Sequence, residues 1–309
     1  MIKKSFGKIA YDLKNNRSLL LMLIPAILFF FVFAYLPMSG IVIAFKSLDY
    51  AKGIFGSPWV GFDNFEFFFK SGQAFIVSRN TILYNSVFIV VNTVLQITVA
   101  IFLSELSKKR FKKVSQTMLL MPYFVSWVVV TAFVYNMLNY EYGIYNNIRA
   151  IFGAEAVDVL GEAQAWKYII VFLNSWKEVG YGSIIYLAAI SSIEREMYES
   201  AEIDGANMFQ QVFKITIPSL KPTIIILVLL GVGRIFRGNF EMFYQLIGNN
   251  GTLYNSTDVI DTFVFRSLIN SQDFGMASSA GLYQSVLCFV ILMVTNYAIK
   301  RINPDYALF

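Results

Sequence analysis

LLLMLIPAILFFFVFAYLP, residues 19–37, carries no charged side chain. The run stays apolar to Ile43. About 20 predominantly apolar residues suffice for a helix to cross the ~30 Å hydrocarbon core of a bilayer. The sequence therefore predicts a membrane span over 19–43. Basic residues precede it, as they precede a secretory leader, but a leader has an apolar core of only ~7–15 residues and then a small-residue cleavage site. This run is longer and no such site follows it, so it reads as a retained anchor.

The rest of the chain repeats the pattern. Five further spans are predicted over 81–105 (containing NSVFIVVNTVLQITVAIFLSE), 117–138 (MLLMPYFVSWVVVTAFVYNML), 166–190, 223–243 and 276–300 (SSAGLYQSVLCFVILMVTNYAI). The fourth is interrupted by Asn174, Lys177 and Glu178, and the fifth carries Arg234 and Arg237 toward its far end. The fold class is an all-α membrane protein with six transmembrane helices. Composition agrees: 57% of the 309 residues are hydrophobic and 15% charged, against roughly a quarter charged in soluble domains.

Charge placement sets an orientation. Lys and Arg crowd the tail at 1–18, the KKRFKK connection at 108–113, the 194–222 connection and the end at 300–301. They are sparse in the other connections. Basic loops stay on the cytoplasmic side, so the tails at 1–18 and 301–309 are expected on the cytoplasmic side of the membrane. The formal net charge of +5 thus reflects topology and contact with membrane lipid, and no nucleic-acid partner is expected. The single cysteine, Cys288, rules out an internal disulfide. The absence of histidine removes the commonest catalytic base and argues against a metal site.

The outward connections carry dense aromatics, as in WVGFDNFEFFF at 59–69, which fits an interfacial belt. VIDTFVFRSLI at 259–269 has the pattern of a short amphipathic helix.

The connection at 194–222 reads differently from a linker. It contains MYESAEIDGANMFQQVFKITIPSLKP, residues 197–222. Its first part is helix-forming and acidic, with Glu194, Glu196, Glu199 and Glu202. Asp204-Gly205 is a helix-ending turn signal, because glycine adopts positive φ without steric cost. A second amphipathic stretch follows, with Phe209, Val212, Phe213, Ile215 and Ile217 apolar. Pro218 and Pro222 are expected to break it before the fifth span. Helix, glycine corner and helix make a stiff element suited to a partner's groove. Membrane-surface helices are usually basic, and this one begins acidic.

That element resembles the EAA loop of ABC importer permeases. The matching positions are Glu199, Ala201, Asp204, Gly205, Ala206, Phe213, Ile217 and Pro218, with Ser200 where the family pattern has a second alanine. WVGFDNF and the terminal NPDYALF at 303–309 are similar to carbohydrate permeases, of the LplB-like and MalF-like kind that import polysaccharide or oligosaccharide fragments. The resemblance implies a type I ABC importer permease fold with a cytoplasmic coupling helix. It implies a second permease subunit (usually non-identical), two ATPase subunits and an extracytoplasmic solute-binding protein delivering sugar. ATP and Mg²⁺ would be bound by the ATPases and no cofactor by this chain. The ATPase-coupling residues would be Glu199, Ala201, Glu202, Asp204, Gly205, Ala206, Phe213 and Pro218. No Gly-x-x-x-x-Gly-Lys-Ser/Thr phosphate loop occurs in the sequence.

Sugars are held by hydrogen bonds and by aromatic faces, so polar and aromatic residues inside spans are the substrate-path candidates. The fourth span offers Asn174, Trp176, Lys177, Glu178 and Tyr181, and the fifth Arg234, Arg237, Asn239, Glu241 and Tyr244. Two such clusters on neighbouring helices suggest one polar cavity. Each residue also has a plainer reading, as an ion pair or an interhelical hydrogen bond. The spare positive charge would suit an acidic sugar. A secondary transporter would want an inverted repeat, and a membrane enzyme a catalytic constellation; neither is visible. A permease for amino acids or phosphate esters stays open.

Overall fold

The computed structural model describes residues 16–302. Lys3, Lys4, Lys8 and Lys14, on which the orientation partly rests, and NPDYALF at 303–309 lie outside the described residues. Among the described residues the regular structure is helical apart from one isolated bridge between Lys46 and Trp59. The main helices are α1 (Arg17–Phe45), α2 (Asp63–Lys70), α3 (Gln73–Glu105), α4 (Lys109–Phe124), α5 (Trp127–Leu138), α6 (Ile144–Ile151), α7 (Ala163–Ser191), α8 (Arg195–Ile203), α9 (Met208–Val232), α10 (Phe240–Ile247), α11 (Ile260–Ile269) and α12 (Phe274–Ile302).

Helices α1, α3, α9 and α12 are each long and apolar enough to cross a membrane. α7 has the length, with 29 residues, but Asn174, Lys177 and Glu178 dilute its hydropathy. The expected amphipathic helix at 259–269 is α11.

Two expected spans need correction. The third is broken: α4 and α5 meet at 90°. Val125 and Ser126 are extended there, and the Ser126 hydroxyl caps α5 by accepting from the Val129 N–H at 3.4 Å. Pro122 lacks the N–H that a continuous helix would use. Hydropathy is blind to this, because the residues on both sides are apolar. α5 has 12 residues and rises only ~18 Å.

The fifth span is shifted. It runs 208–232 rather than 223–243, so the stretch after the glycine corner and the span are one helix. Pro218 and Pro222 do not break it. A prolyl ring clashes with the carbonyl four residues back and cannot bond it. The wide turn at Val212–Thr216, in which the Ile217 N–H bonds the Val212 carbonyl, lies just upstream of Pro218 and shifts that register. Beyond Val232 the chain turns through Gly233 and Gly238 before Asn239 starts α10, with the Asn239 side chain accepting from the Met242 N–H at 3.1 Å.

α7 is the centre of the packing, lying along α3 and against α4 and α9. Two glycines allow this. A Cβ on Gly180 would fall 1.8 Å from the Leu119 carbonyl oxygen, and one on Gly182 would fall 2.1 Å from the Gln96 side chain. Small residues at helix crossings let backbones approach closely in lipid. One end of the bundle is filled by Trp166, Ile170, Trp127, Phe88, Met242 and Phe243, and the other by Ala100, Leu103, Tyr186, Leu187 and Leu220. α1 stands apart. None of its most apolar stretch is buried, and only its Ser39–Phe45 end packs along α12.

Candidate functional site

The 194–222 connection forms a corner with defined chemistry. α8 ends in a paired-bond cap: the Gly205 N–H bonds the Glu202 carbonyl at 3.0 Å and the Ala206 N–H bonds the Ala201 carbonyl at 2.8 Å. Gly205 has φ +76°, which only glycine adopts cheaply. The next residue but one opens α9 with a reciprocal cap. Asn207 accepts from the Gln210 N–H at 2.9 Å, and the Gln210 side chain accepts from the Asn207 N–H at 2.8 Å. Two helix ends are thus satisfied within three residues, leaving little slack. Glu199, paired with Arg195 at 3.0 Å, is exposed with Glu202, Asp204, Gly205 and Pro218. Ala201 and Ala206 are partly buried. Ile203, Phe209 and Phe213 are large apolar side chains standing free, Ile203 at 87% exposure. An acidic face beside free apolar side chains is the composition of a docking surface.

The path candidates separate. Tyr181, Arg234 and Arg237 come together on a groove of about 360 Å³ between α3, α7 and the end of α9. Besides the ring of Tyr186 and the apolar Phe88, Ile89, Ile185 and Leu227, the groove is lined by the polar side chains of Asn85, Asn92, Thr93 and Gln96, all from α3. These were not singled out from the sequence, although their spacing of three, four and seven puts them on one helix face. The turn that carries the arginines is pinned from three elements. The Asn85 amide donates to the Ile235 carbonyl at 2.8 Å and to the Arg237 carbonyl at 3.1 Å. Asp261 of α11 accepts from the Gly238 N–H at 2.6 Å, and Gln284 of α12 donates to the Phe236 carbonyl at 2.8 Å and to Asp261 at 2.9 Å. Neither guanidinium forms an ion pair among the described residues. The groove presents amides, hydroxyls and two cations beside aromatic rings and aliphatic side chains.

The remaining candidates have structural surroundings. Asn174 is buried and accepts from Asn92 at 2.9 Å, joining α7 to α3. The Glu178 carbonyl accepts from Gln96 at 3.3 Å. Trp176 is exposed away from the groove lining, and Glu241 is exposed in the first turn of α10. Asn239 caps α10. Tyr244 is stacked on Phe240 and meets Phe265 edge-on. Lys177 is buried with its ammonium on backbone carbonyls at the α4–α5 break. A larger cleft of about 760 Å³ lies on another face of the α3–α7 pair, but aliphatic and aromatic groups such as Leu83, Val87, Val91 and Phe172 dominate it. It suits acyl chains or a neighbouring helix better than a polar solute.

Residues 96–306 match the family model of the binding-protein-dependent transport system inner membrane component. Protein LplB of Bacillus subtilis (strain 168) is 33% identical over 95% of this chain and 92% of its own length. The polygalacturonan/rhamnogalacturonan transport system permease protein YteP of the same organism is 30% identical over 98% of this chain and 94% of its own. A chain in the crystal structure of a bacterial alginate ABC transporter, in complex with an alginate pentasaccharide-bound periplasmic protein, superposes with a TM-score of 0.85. It is 33% identical, covering 94% of this chain and 97% of that one.

Proposed function

From the premise that the chain belongs to the inner membrane components of binding-protein-dependent transport systems, and is a permease subunit of an ABC importer for carbohydrate, we propose that it imports oligosaccharide fragments bearing uronic acids. The observation that carries this reading is the groove in which Tyr181, Arg234 and Arg237 face the amides of Asn85, Asn92 and Gln96. Amides and hydroxyls match sugar hydroxyls, an aromatic face matches a ring, and guanidiniums match carboxylates bidentately. YteP, named for polygalacturonan and rhamnogalacturonan, and the alginate transporter both handle uronate polymers by name, which supports the same class.

In this reading the groove is half of a path completed by a second, non-identical permease. The unburied α1 supports such a partner, since a 29-residue apolar helix packed along its own chain only at one end has a face to offer. Two ATPase subunits hold ATP and Mg²⁺, one of them receives residues 199–206 in its cleft, and this chain is left without a cofactor. The lack of a phosphate loop in the sequence supports that division. A periplasmic solute-binding protein loads the groove from outside, and both ends of the chain as given face the cytoplasm, as the distribution of basic residues suggests.

Mechanically, α9 runs 25 residues from the corner to Val232, roughly 38 Å at 1.5 Å per residue, and the groove arginines follow at once. Movement of the corner on ATPase closure therefore reaches Arg234 and Arg237 along one rod, switching the groove between inward and outward access. The test is uptake by the reconstituted importer of alginate oligosaccharides against maltotriose. Arg234→Gln and Arg237→Gln are expected to weaken apparent affinity for the alginate probe roughly tenfold each, as loss of a charge-assisted contact does. Equal uptake of both sugars, unaffected by the substitutions, rejects the uronate reading.

A further inference from the structure

The break between α4 and α5 lies where the third span was expected to run straight. Carbonyl groups at a helix end need donors, and at membrane depth water does not supply them. Here the donor is remote in sequence. The Lys177 ammonium of α7 bonds the Pro122 carbonyl at 3.2 Å, the Tyr123 carbonyl at 2.7 Å and, closer still, the Val125 carbonyl. An ammonium has three protons, and all three are engaged. The carbonyl end of α4 is also the negative end of its dipole, which favours a cation. The rings of Tyr123 and Trp127 lie 5.8 and 5.5 Å from the same nitrogen, so the charge is enclosed by one carbonyl set and two π faces. Lys177 itself is 7% exposed. One turn further along α7, Tyr181 stacks on Tyr123 at 4.6 Å and 11°, and Tyr181 lines the groove.

We infer that Lys177 is a positioning residue: its ammonium supplies the donors missing at the α4–α5 break, fastens the break to α7, and so fixes the Tyr123–Tyr181 stack at the edge of the groove. Lys177 does not meet the sugar. The break and α7 move as one body when the groove changes access, and the bend is kept in every state. This deepens the reading of the groove as the substrate face, and part of its test is independent of that reading.

The test uses the assembled transporter in lipid nanodiscs, in a Cys288→Ser background. Spin labels sit at Met118 on α4 and Met137 on α5, both exposed, so that their separation reports the bend. A single narrow distance is expected in the nucleotide-free and vanadate-trapped states. Lys177→Met should broaden and lengthen it, and Lys177→Arg should restore it. If Lys177→Met does not assemble, Lys177→Leu makes the same comparison with a neutral side chain that has no donor. A distribution identical to the parent in the neutral variant overturns the inference. In the same preparations Lys177→Met should lower uptake of alginate pentasaccharide roughly tenfold while ATP hydrolysis continues, a coupling loss of the size expected for a mechanical contact, with recovery in Lys177→Arg. Unchanged uptake beside a released bend also overturns it. A parent transporter that ignores the pentasaccharide defeats only the uronate reading, and the distance comparison still decides the role of Lys177.

Discussion

The phenolic oxygen of Tyr198 lies 2.9 Å from the hydroxyl of Thr216, so the helix before the glycine corner is bonded directly to the spanning helix after it. Thr216 is 4% exposed and sits in the wide turn upstream of Pro218. The corner is therefore closed twice, through the chain and across it. Tyr198→Phe and Thr216→Val each remove that cross-tie at a cost of about 1 kcal/mol, the usual net value of a hydrogen bond. Both variants are expected to assemble, yet to import less sugar per ATP hydrolysed. A stoichiometry equal to that of the parent in both would exclude the contact from coupling.

Gly205 has φ +76° with open space around the position of a Cβ, so the obstacle to a side chain there is conformational. Gly205→Asp should strain the corner by about 1–2 kcal/mol and Glu199→Lys should reverse the charge presented to the ATPase. Both chains are expected to reach the membrane and to lose transport, with the ATPase failing to co-purify. Normal uptake in either would refute the assignment of residues 199–206 as the coupling element.

Gly180 meets the Leu119 backbone so closely that any side chain displaces a helix. Gly180→Val should prevent α4 from seating on α7, visible as loss of the assembled complex on size exclusion. Ser183→Ala, close by on α7, removes only a local bond to the Gly180 carbonyl and should be tolerated.

Asp258 and Arg266 form a two-pronged ion pair at 2.8 and 2.5 Å, with the guanidinium over the Tyr254 ring at 3.9 Å. The Asp258 side chain is 2% exposed. Arg266→Met leaves a buried carboxylate without its cation and should cost about 3–5 kcal/mol. Asn80 bonds the Asp258 carbonyl at 3.0 Å, so the loss should spread to the start of α3. A clear fall in the unfolding midpoint of the purified complex is the expected reading.

A cysteine at Phe29 or Phe33, both exposed on α1, should cross-link to the second permease in native membranes if that subunit covers α1. Labelling by lipid-phase reagents alone, with no cross-link, would leave α1 facing acyl chains and remove it from the interface.

Much of this protein was legible in its sequence because the deciding chemistry is local. Apolar length marks spans whatever they pack against. The caps at Asp204-Gly205 and Asn207 are bonds between residues three to five positions apart, so a local signal, Asp204-Gly205, is enough to place the corner. The EAA-loop resemblance rests on the same short stretch. Hydropathy, by contrast, misplaces the fifth span, because the corner helix and the span are one rod and the wide turn at Val212–Thr216 accommodates Pro218.

What only the tertiary structure decided depends on partners distant along the chain. Lys177 and Arg234 look alike in sequence, each a cation within an apolar stretch. Lys177 is committed to carbonyls more than fifty positions away at the α4–α5 break, whereas Arg234 faces the groove with no ion-pair partner among the described residues. Asn85, Asn92 and Gln96 become groove residues only because α3 packs beside α7. The sequence determined that the chain crosses a membrane, bears a rigid corner and belongs with ABC permeases, since length, polarity and turn chemistry act over a few residues. The bend, the groove and the division of its polar groups between lining and scaffold came from helix packing, because a buried charge or amide takes its role from whichever backbone or side chain the fold brings within 3 Å.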